Sequence, residues 1–139
     1  MNIYFSASIR GGRQYLSTYR TIVSHLKSSG HTIATEHIVE ENILEIEQRV
    51  DDTYIFRRDI ELLDHSDAVI SEVSNPSLGV GYEICYALEK RIETLCLYST
   101  DAIVSAMILG NTSPHIHLGP YNMEKEMLSL MDEFMENLK

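Results

Sequence analysis

The chain has 139 residues, a mass of 15.9 kDa and a formal net charge of −10, from 11 Lys and Arg against 21 Asp and Glu. This length indicates a single domain, residues 1–139, built on one hydrophobic core. An acidic chain lacks the basic surface that binds phosphate backbones, which argues against a nucleic-acid polymer as partner. No apolar run approaches the roughly 18 residues of a membrane span, and the opening residues lack a signal-peptide pattern. We therefore expect a cytoplasmic protein with no membrane partner, or a nuclear and cytoplasmic one in a eukaryote.

Strand and helix patterns alternate along the chain. In chain order they predict a strand at 2–6, a helix from 16 that ends near Gly30, a strand at 31–35, an acidic and ambiguous stretch at 40–50, a helix over 54–63, a strand at 68–73, a helix over 80–91, a strand at 94–98, a short helix at 102–109, a weak strand at 116–118 and a last helix from 122. Asp101 is the expected cap of the short helix, and Asn122 that of the last one. Cys85 and Cys96 sit in apolar patterns and are predicted to be reduced core residues.

This alternation predicts an α/β fold with a five-stranded parallel sheet and helices on both of its faces. The best-fitting topology is flavodoxin-like (Rossmann-like), with strand order 2-1-3-4-5. In such sheets, ligands bind outside the carboxyl ends of the strands, where the strand order reverses. The loop after the first strand, residues 8–13, and the loop after the third, residues 74–81, should therefore lie side by side.

The first of these loops has the composition of an anion site. Residues 6–13 combine two serines, two arginines and the pair Gly11 and Gly12 at a junction from strand to helix. Backbone N–H groups, a helix N-terminus and arginine side chains all bind phosphate. The spacing matches neither a Walker motif nor a dinucleotide fingerprint. An exposed turn with surface arginines, Arg10 and Arg13, is an equally good interpretation of the same residues.

The second loop, residues 74–81, is glycine-rich and leads into a helix that carries Glu83 near its start. The helix dipole favours an ionised carboxylate there, and an ionised carboxylate at a ligand-binding edge is suited to covalent catalysis. For a single glutamate, however, the commoner role is only to complement the dipole.

Further acidic and histidine residues are candidates for a proton donor or for metal ligands. Glycosidic chemistry commonly needs a second carboxylate that donates a proton, and Asp59 on the preceding helix can approach Glu83. Asp64 and His65 have the pattern of surface residues. The pair His115 and His117 lacks a third and a fourth ligand, so no metal site is expected.

Several strings of the sequence together resemble a known family, the 2′-deoxynucleoside 5′-phosphate N-hydrolases, which are related to the nucleoside 2-deoxyribosyltransferases. In order, the strings are Ile3–Phe5, Ser8–Arg13, Thr35–His37, Asp67–Val69, Glu72–Val73, Pro76–Glu83 and Ser105–Ile108. The resemblance spans about residues 2–110, and Pro76–Glu83 is its most specific part. Residues 40–56 and the last helix show no clear match, and Ala7 stands where the family has a glycine.

The resemblance implies a role for each matching residue. Glu83 is the expected nucleophile, Tyr4 orients its carboxylate, and Asp59 helps the base to leave. The expected substrate- and phosphate-binding residues are Ser8, Ile9, Arg10, Gly11, Ser77, Gly79, Ser105 and Met107. Of these, Ser105 and Met107 are expected to reach the site from the other subunit of a homodimer. Neither a metal nor an organic cofactor is implied.

The expected activity is therefore hydrolysis of the N-glycosidic bond of 2′-deoxynucleoside 5′-monophosphates, with retention and through a covalent glycosyl–enzyme intermediate. Three alternatives stay open. A nucleoside 2-deoxyribosyltransferase shares Glu83 but transfers the sugar to a second base. A ribonucleotide N-glycosidase, such as one acting on CMP, is disfavoured only if Ile9 faces the 2′-carbon. A non-catalytic nucleotide sensor has no need of Tyr4, Asp59 and Glu83 together.

Overall fold

The computed structural model describes all residues, 1–139, as five strands and six α-helices. In chain order they are β1 Asn2–Ala7, α1 Leu16–Ser28, β2 Thr32–Ile33, a 3-10 helix Glu36–Val39, α2 Ile43–Glu47, α3 Asp52–Asp64, β3 Ala68–Glu72, α4 Leu78–Glu89, β4 Thr94–Ser99, α5 Ala106–Leu109, β5 Ile116–Tyr121 and α6 Glu124–Asn137. The ambiguous acidic stretch thus contains the short helix α2. None of the helices combines the length and the apolar composition that a membrane span requires.

The five strands form one parallel sheet in the order β2-β1-β3-β4-β5. The predicted topology is confirmed. The chain leaves β1 for β2 on one side and returns to β3 on the other, so the strand order reverses beside β1. Because the carboxyl ends of β1 and β3 are hydrogen-bonded neighbours up to Ala7 and Glu72, the loops that follow them form one crevice.

Alternation along β1 divides its side chains between two layers. Ile3, Phe5 and Ala7 pack with α1 and α6 in the main core, which has 18 buried residues. Tyr4 faces the other layer, where Leu63 of α3 and Ala87 of α4 cover it. Helices therefore cover both faces, as predicted. The residues of β1 at even positions are the ones that can reach a site between the sheet and α4.

The predicted helix over 102–109 is wrong in its first half. The chain instead makes a turn after β4, in which the Ala102 N–H donates to the Ser99 carbonyl at 3.0 Å. Helix α5 begins only at Ala106, and its cap is Ser105, whose Oγ accepts a hydrogen bond from the Met107 N–H at 3.2 Å. Asp101 is therefore not a cap.

Two smaller predictions also differ from the structure. The N-terminus of α6 is capped by Glu126, whose carboxylate accepts from the N–H groups of Asn122 at 2.7 Å and Met123 at 3.2 Å. Asn122 is engaged elsewhere, because its side chain accepts a hydrogen bond from the Thr100 hydroxyl. Cys96 is buried as expected, but Cys85 is exposed, on the side of α4 opposite the core.

Candidate active site

A cavity of about 700 Å³ opens at the carboxyl edge of the sheet, beside β1 and β3. Its walls come from the loops after these two strands, from α3 and from the first two turns of α4. Half of its 22 lining residues are hydrophobic, Tyr4 among them, and Asp59 and Glu83 are among the others. An apolar pocket with a few convergent polar groups is the usual form of a small-molecule site.

Glu83 is held at both of its carboxylate oxygens by residues of β1. The Tyr4 hydroxyl donates to Oε1 at 2.7 Å, and the Ser6 hydroxyl donates to Oε2 at 2.5 Å. Tyr4 and Ser6 are two residues apart on one strand, so their side chains point to the same face of the sheet. The sheet therefore fixes the orientation of the carboxylate, as a positioned nucleophile requires.

Burial sets the electrostatics of this group. It raises the pKa of Glu83 to about 7, while the hydrogen bonds from Ser6 and Tyr4 act in the opposite direction. The expectation that the helix dipole keeps Glu83 ionised is not met, because the residue lies in the second turn of α4, beyond the reach of the dipole. Burial, followed by the charge of Glu83, raises the pKa of Tyr4, which therefore stays a neutral hydrogen-bond donor.

Asp59 lines the same cavity from α3, as predicted for the second carboxylate. Burial raises its pKa, and Arg58, which donates to its Oδ1 at 2.9 Å through Nε, lowers it. The other acidic residues of this region lie elsewhere: Asp64 accepts a hydrogen bond from Tyr86, and Asp67 accepts one from the Asn2 N–H. Of these three aspartates, only Asp59 lines the cavity together with Glu83.

Five of the residues expected to bind substrate line the cavity together. They are Ile9, Arg10, Gly11, Ser77 and Gly79. Ser77 caps α4 by accepting from the Val80 N–H at 3.3 Å, which leaves the N–H groups of Leu78 and Gly79 without a partner inside the helix. These N–H groups and the exposed Arg10 guanidinium make this end of the cavity suited to an anion. Arg10 also forms an ion pair with Asp52 at 3.5 Å.

Ser8 does not line the cavity. It is fully buried behind the first loop, and its hydroxyl has no hydrogen-bond partner. Its Oγ is 2.6 Å from where a Cβ on Gly11 would stand, so the side chain lies directly beneath the loop backbone.

The glycines of the first loop are needed for its contact with the second. A Cβ on Gly11 would stand 2.5 Å from the Pro76 carbonyl oxygen, and Gly12 has a φ of +129°, which other residues rarely adopt. Arg13, the second arginine of the expected anion site, binds the protein's own backbone instead. Its guanidinium donates to the backbone carbonyls of Ile38 at 2.6 Å and Glu40 at 3.1 Å.

Sequence reasoning missed several residues of the site. Ser6 could have been found, because strand alternation places it on the same face as Tyr4. Glu47 and His37 also line the cavity. Glu47 lies in the stretch 40–50, whose pattern is ambiguous, and His37 lies in a string that matches the family but to which no role was assigned. Arg58 carries no signal beyond its position next to Asp59.

Ser105 and Met107 lie outside the cavity of their own chain. Both are on the surface, and Met107 is 80% exposed. His115 and His117 each contact Glu93 at 2.7 Å, at the opposite edge of the sheet. No group of three or more His, Cys, Asp or Glu residues is arranged to hold a metal ion.

Comparison with known proteins gives one consistent family. The family model described as nucleoside 2-deoxyribosyltransferase matches residues 3–135. A Methanosarcina barkeri protein with the provisional name 2′-deoxynucleoside 5′-phosphate N-hydrolase 1 is 44% identical over 133 residues, which is 96% of this chain and 84% of that protein. The Danio rerio 5-hydroxymethyl-dUMP N-hydrolase is 39% identical over 142 residues, covering 99% of this chain and 98% of the relative.

Solved structures share the fold at lower identity. The CMP N-glycosidase of Clostridium botulinum superposes with a TM-score of 0.72 at 19% identity, over 95% of this chain and 99% of that one. The 2-deoxyribosyltransferase of Bacillus psychrosaccharolyticus gives a TM-score of 0.66 at 18% identity, over 92% and 90%. The family model and the curated relatives agree, so the chain belongs to the nucleoside 2-deoxyribosyltransferase family, alongside the members named 2′-deoxynucleoside 5′-phosphate N-hydrolases.

Proposed function

We propose that this protein hydrolyses the N-glycosidic bond of 2′-deoxynucleoside 5′-monophosphates to a free base and 2-deoxyribose 5-phosphate. The observation that carries the proposal is the Glu83 carboxylate, held at both oxygens by Tyr4 and Ser6 within the cavity. A group fixed in this way is suited to attack a carbon atom rather than to form an ordinary ion pair. The names of the curated relatives support the same activity and the same substrate class.

The reaction has two steps, as in retaining glycosidases. In the first, a Glu83 oxygen forms a bond to the anomeric carbon on the face opposite the base, and the bond to the base nitrogen breaks with its electron pair. The base takes a proton from Asp59 or from a water that Asp59 holds. In the second step, a water oxygen forms a bond to the anomeric carbon and the water gives one proton back to Asp59. The ester bond to Glu83 breaks with its electron pair and restores the carboxylate, and the two successive inversions preserve the configuration.

In this proposal the 5′-phosphate binds at the anion-suited end of the cavity. Arg10 and the first turn of α4 supply donors there, and Ser77 and Gly79 belong to the same turn. Binding energy from a group remote from the reacting carbon can be used to position the sugar against Glu83. A phosphorylated substrate therefore suits this cavity better than a nucleoside, which disfavours the transferase alternative.

The position of Ile9 favours a substrate with a deoxy sugar over one with a ribose. Its side chain lines the cavity and also packs against the main core, so it is held in place and offers no partner for a 2′-hydroxyl. Burial of an unpaired hydroxyl against such a group is unfavourable. A ribonucleotide such as CMP is the second candidate substrate, on the strength of the shared fold with the CMP N-glycosidase.

A panel of substrates tests the activity. The protein is incubated with deoxynucleoside monophosphates, the matching deoxynucleosides and the matching ribonucleotides, and the free base is measured by chromatography. We expect base release from the deoxynucleotides, much less from the other two classes, and no transfer to an added second base. Equal turnover of deoxynucleosides and their monophosphates, or transfer that outpaces hydrolysis, would contradict the proposal.

Two substitutions test the assigned roles. Glu83→Gln should lower turnover by about 10⁴-fold or more, because it removes the nucleophile, whereas Glu89→Gln, at the exposed end of the same helix, should leave it unchanged. Asp59→Asn should cost about 10²–10⁴-fold, the usual contribution of a proton donor. If Glu83→Gln keeps a substantial share of turnover, another group is the nucleophile.

The active unit in this proposal is a homodimer. In the segment 103–108, Val104 and Ile108 pack against the buried residues of α4. Ile103 and Met107 of the same segment are 92% and 80% exposed. Leu78 at the start of α4 is 96% exposed. Exposed apolar surface often belongs to an interface, which supports a two-fold dimer. In this dimer, Ser105 and Met107 are proposed to reach the partner's cavity.

A further inference from the structure

Arg58 lies between two carboxylates, one of which is the expected proton donor. Its Nη2 is 2.8 Å from Oδ1 of Asp59 and 3.3 Å from Oε1 of Glu47, and its Nε donates to the same Oδ1 at 2.9 Å. Asp59 and Glu47 both line the cavity, but Arg58 does not. The guanidinium therefore acts on the site from behind, through its neighbours.

The contacts of Arg58 with Asp59 are one-sided. Both of them go to Oδ1, and Oδ2 has no hydrogen bond within the chain. One oxygen of Asp59 is thus anchored, and the other has no partner within the chain. A carboxylate anchored in this way cannot exchange its two oxygens by rotation without breaking both contacts.

Glu47 completes the arrangement. It is the last residue of α2, only 6% exposed, and its contact with Arg58 is its one ion pair. Because a buried carboxylate is costly unless it is paired, Glu47 competes with Asp59 for the positive charge of Arg58. This connects α2, from the acidic stretch whose pattern was ambiguous, to the chemistry of the site.

We propose that Arg58 is a positioning residue for Asp59, and that Glu47, by sharing the guanidinium, sets how strongly Arg58 holds the charged form of Asp59. The inference rests on the proposed function, in which Asp59 supplies a proton to the leaving base. It assigns two residues a part in that step although neither touches the reacting bond.

The direction of each effect follows from the groups that face Asp59. These are Arg58 on its own helix, Glu47 of α2, His37 of the 3-10 helix, Glu83 of α4 and Tyr4 of β1. Arg58 and a protonated His37 favour the ionised form, whereas Glu47 and Glu83 favour the protonated one. Removing Arg58 should therefore raise the pKa of Asp59, and neutralising Glu47 should lower it.

Carbon-13 NMR titration of the aspartate carboxyl groups tests this in the full chain without substrate. The Asp59 resonance is identified by its loss in Asp59→Asn. We expect the midpoint of Asp59 to move to higher pH in Arg58→Met and to lower pH in Glu47→Gln. Arg57→Met, an exposed arginine next in sequence, is the matched control and should leave the midpoint unchanged.

Arg58→Lys keeps the protein testable if Arg58→Met does not fold. It retains the charge but not the planar fork that spans two carboxylates, so the midpoint should stay closer to that of the unaltered protein, while turnover falls. A midpoint that is unmoved in Arg58→Met, or that moves the same way in Arg58→Met and Glu47→Gln, overturns the inference. Because the titration needs no turnover, its outcome is independent of the substrate panel that tests the proposed function.

Discussion

At the scale of single residues, the site is a balance between burial and hydrogen bonding at Glu83. The group has to be ionised to act as a nucleophile, yet burial raises its pKa to about 7. The hydroxyls of Tyr4 and Ser6 are the two donors that oppose this effect. Each of them therefore has a measurable consequence for the pH at which the site works.

The first prediction concerns the pH dependence of kcat/KM, which reports ionisations of the free enzyme. The value of kcat/KM should rise with pH through about 7, because Glu83 is half ionised there. Two pH units lower, Glu83 is ionised in only roughly a hundredth of the molecules. In Tyr4→Phe and Ser6→Ala this rise should shift to higher pH, since each variant lacks one donor to the carboxylate. A rise that stays in place in both variants would show that it belongs to another group.

The second prediction concerns stability and needs no substrate. The pKa of Glu83 in the folded chain, about 7, is above its ordinary value of 4.5. The protonated form is therefore favoured by folding, and its contribution to stability is complete below pH 4.5 and is lost as the pH rises through 7. In Glu83→Gln this loss cannot occur. The free energy of unfolding of Glu83→Gln, relative to that of the unaltered protein, should therefore rise by on the order of 1–3 kcal/mol between pH 4.5 and 8.

Chemical denaturation at several pH values measures this difference. Glu89→Gln serves as the control, because it removes an exposed carboxylate from the same helix. A constant difference between Glu83→Gln and the unaltered protein across this range would mean that Glu83 does not titrate there.

At the scale of elements, two loops hold the anion-suited end of the cavity together. Gly11 approaches the Pro76 carbonyl too closely for a side chain. Asn75, which is buried, donates to the Gly12 carbonyl at 3.3 Å and accepts from the Gln14 side chain at 3.0 Å. The loop after β1 therefore depends on the loop after β3 for its shape.

The third prediction tests this dependence with Asn75→Leu, a change of similar volume that removes both hydrogen bonds. Buried groups left unpaired should cost about 1–3 kcal/mol of stability. KM for a deoxynucleotide should rise more than KM for the corresponding deoxynucleoside, because only the former uses the loops to hold a phosphate. Asn2→Leu is the control, since it removes the hydrogen bond to the His65 carbonyl at the opposite edge of the sheet.

The elements also show what could be inferred before the structure was known. The alternation of strand and helix patterns predicted a five-stranded parallel sheet. Its best-fitting strand order placed the two loops side by side, as the structure has them. Helix α2 was ambiguous because acidic residues interrupt its apolar spacing. It packs through the buried Ile43, and its buried Glu47 is paired with Arg58. Ser8 and Arg13 were placed correctly on the loop, but their burial and their partners depend on packing that no local pattern encodes.

At the scale of the whole molecule, the uneven charge and the exposed apolar surface are the main features. Residues 59–139 hold four Lys and Arg against fourteen Asp and Glu. An anionic substrate therefore approaches against the overall field and relies on the local donors at α4 and Arg10. The exposed apolar residues Leu78, Ile103 and Met107 lie on elements that adjoin this end of the sheet, where a second copy is proposed to bind.

The fourth prediction concerns subunit complementation. Glu83→Gln and Ser105→Trp should each be nearly inactive alone, the second because a large side chain enters the partner's cavity. In a one-to-one mixture, about a quarter of the sites should carry neither lesion, so activity should partly return. Ser129→Trp, on the exposed side of α6, is the control and should be active by itself.

Subunit exchange has to be demonstrated first, for example by mass spectrometry of the mixed dimer. An exchanged mixture with no recovered activity would contradict the shared site. A monomer at the working concentration, by sedimentation, would contradict the dimer altogether.

The different environments of the two cysteines provide a chemical probe that needs no engineering. Burial raises the pKa of the Cys96 thiol to about 12 and removes it from solvent, whereas Cys85 is exposed. A thiol-directed fluorophore should thus attach once per chain, on the helix that carries Glu83. Cys85 follows Leu78 and Tyr82 at helical spacing, on the same side of α4. The rate of labelling should therefore fall as the protein is concentrated if that side of the helix is covered by a second copy.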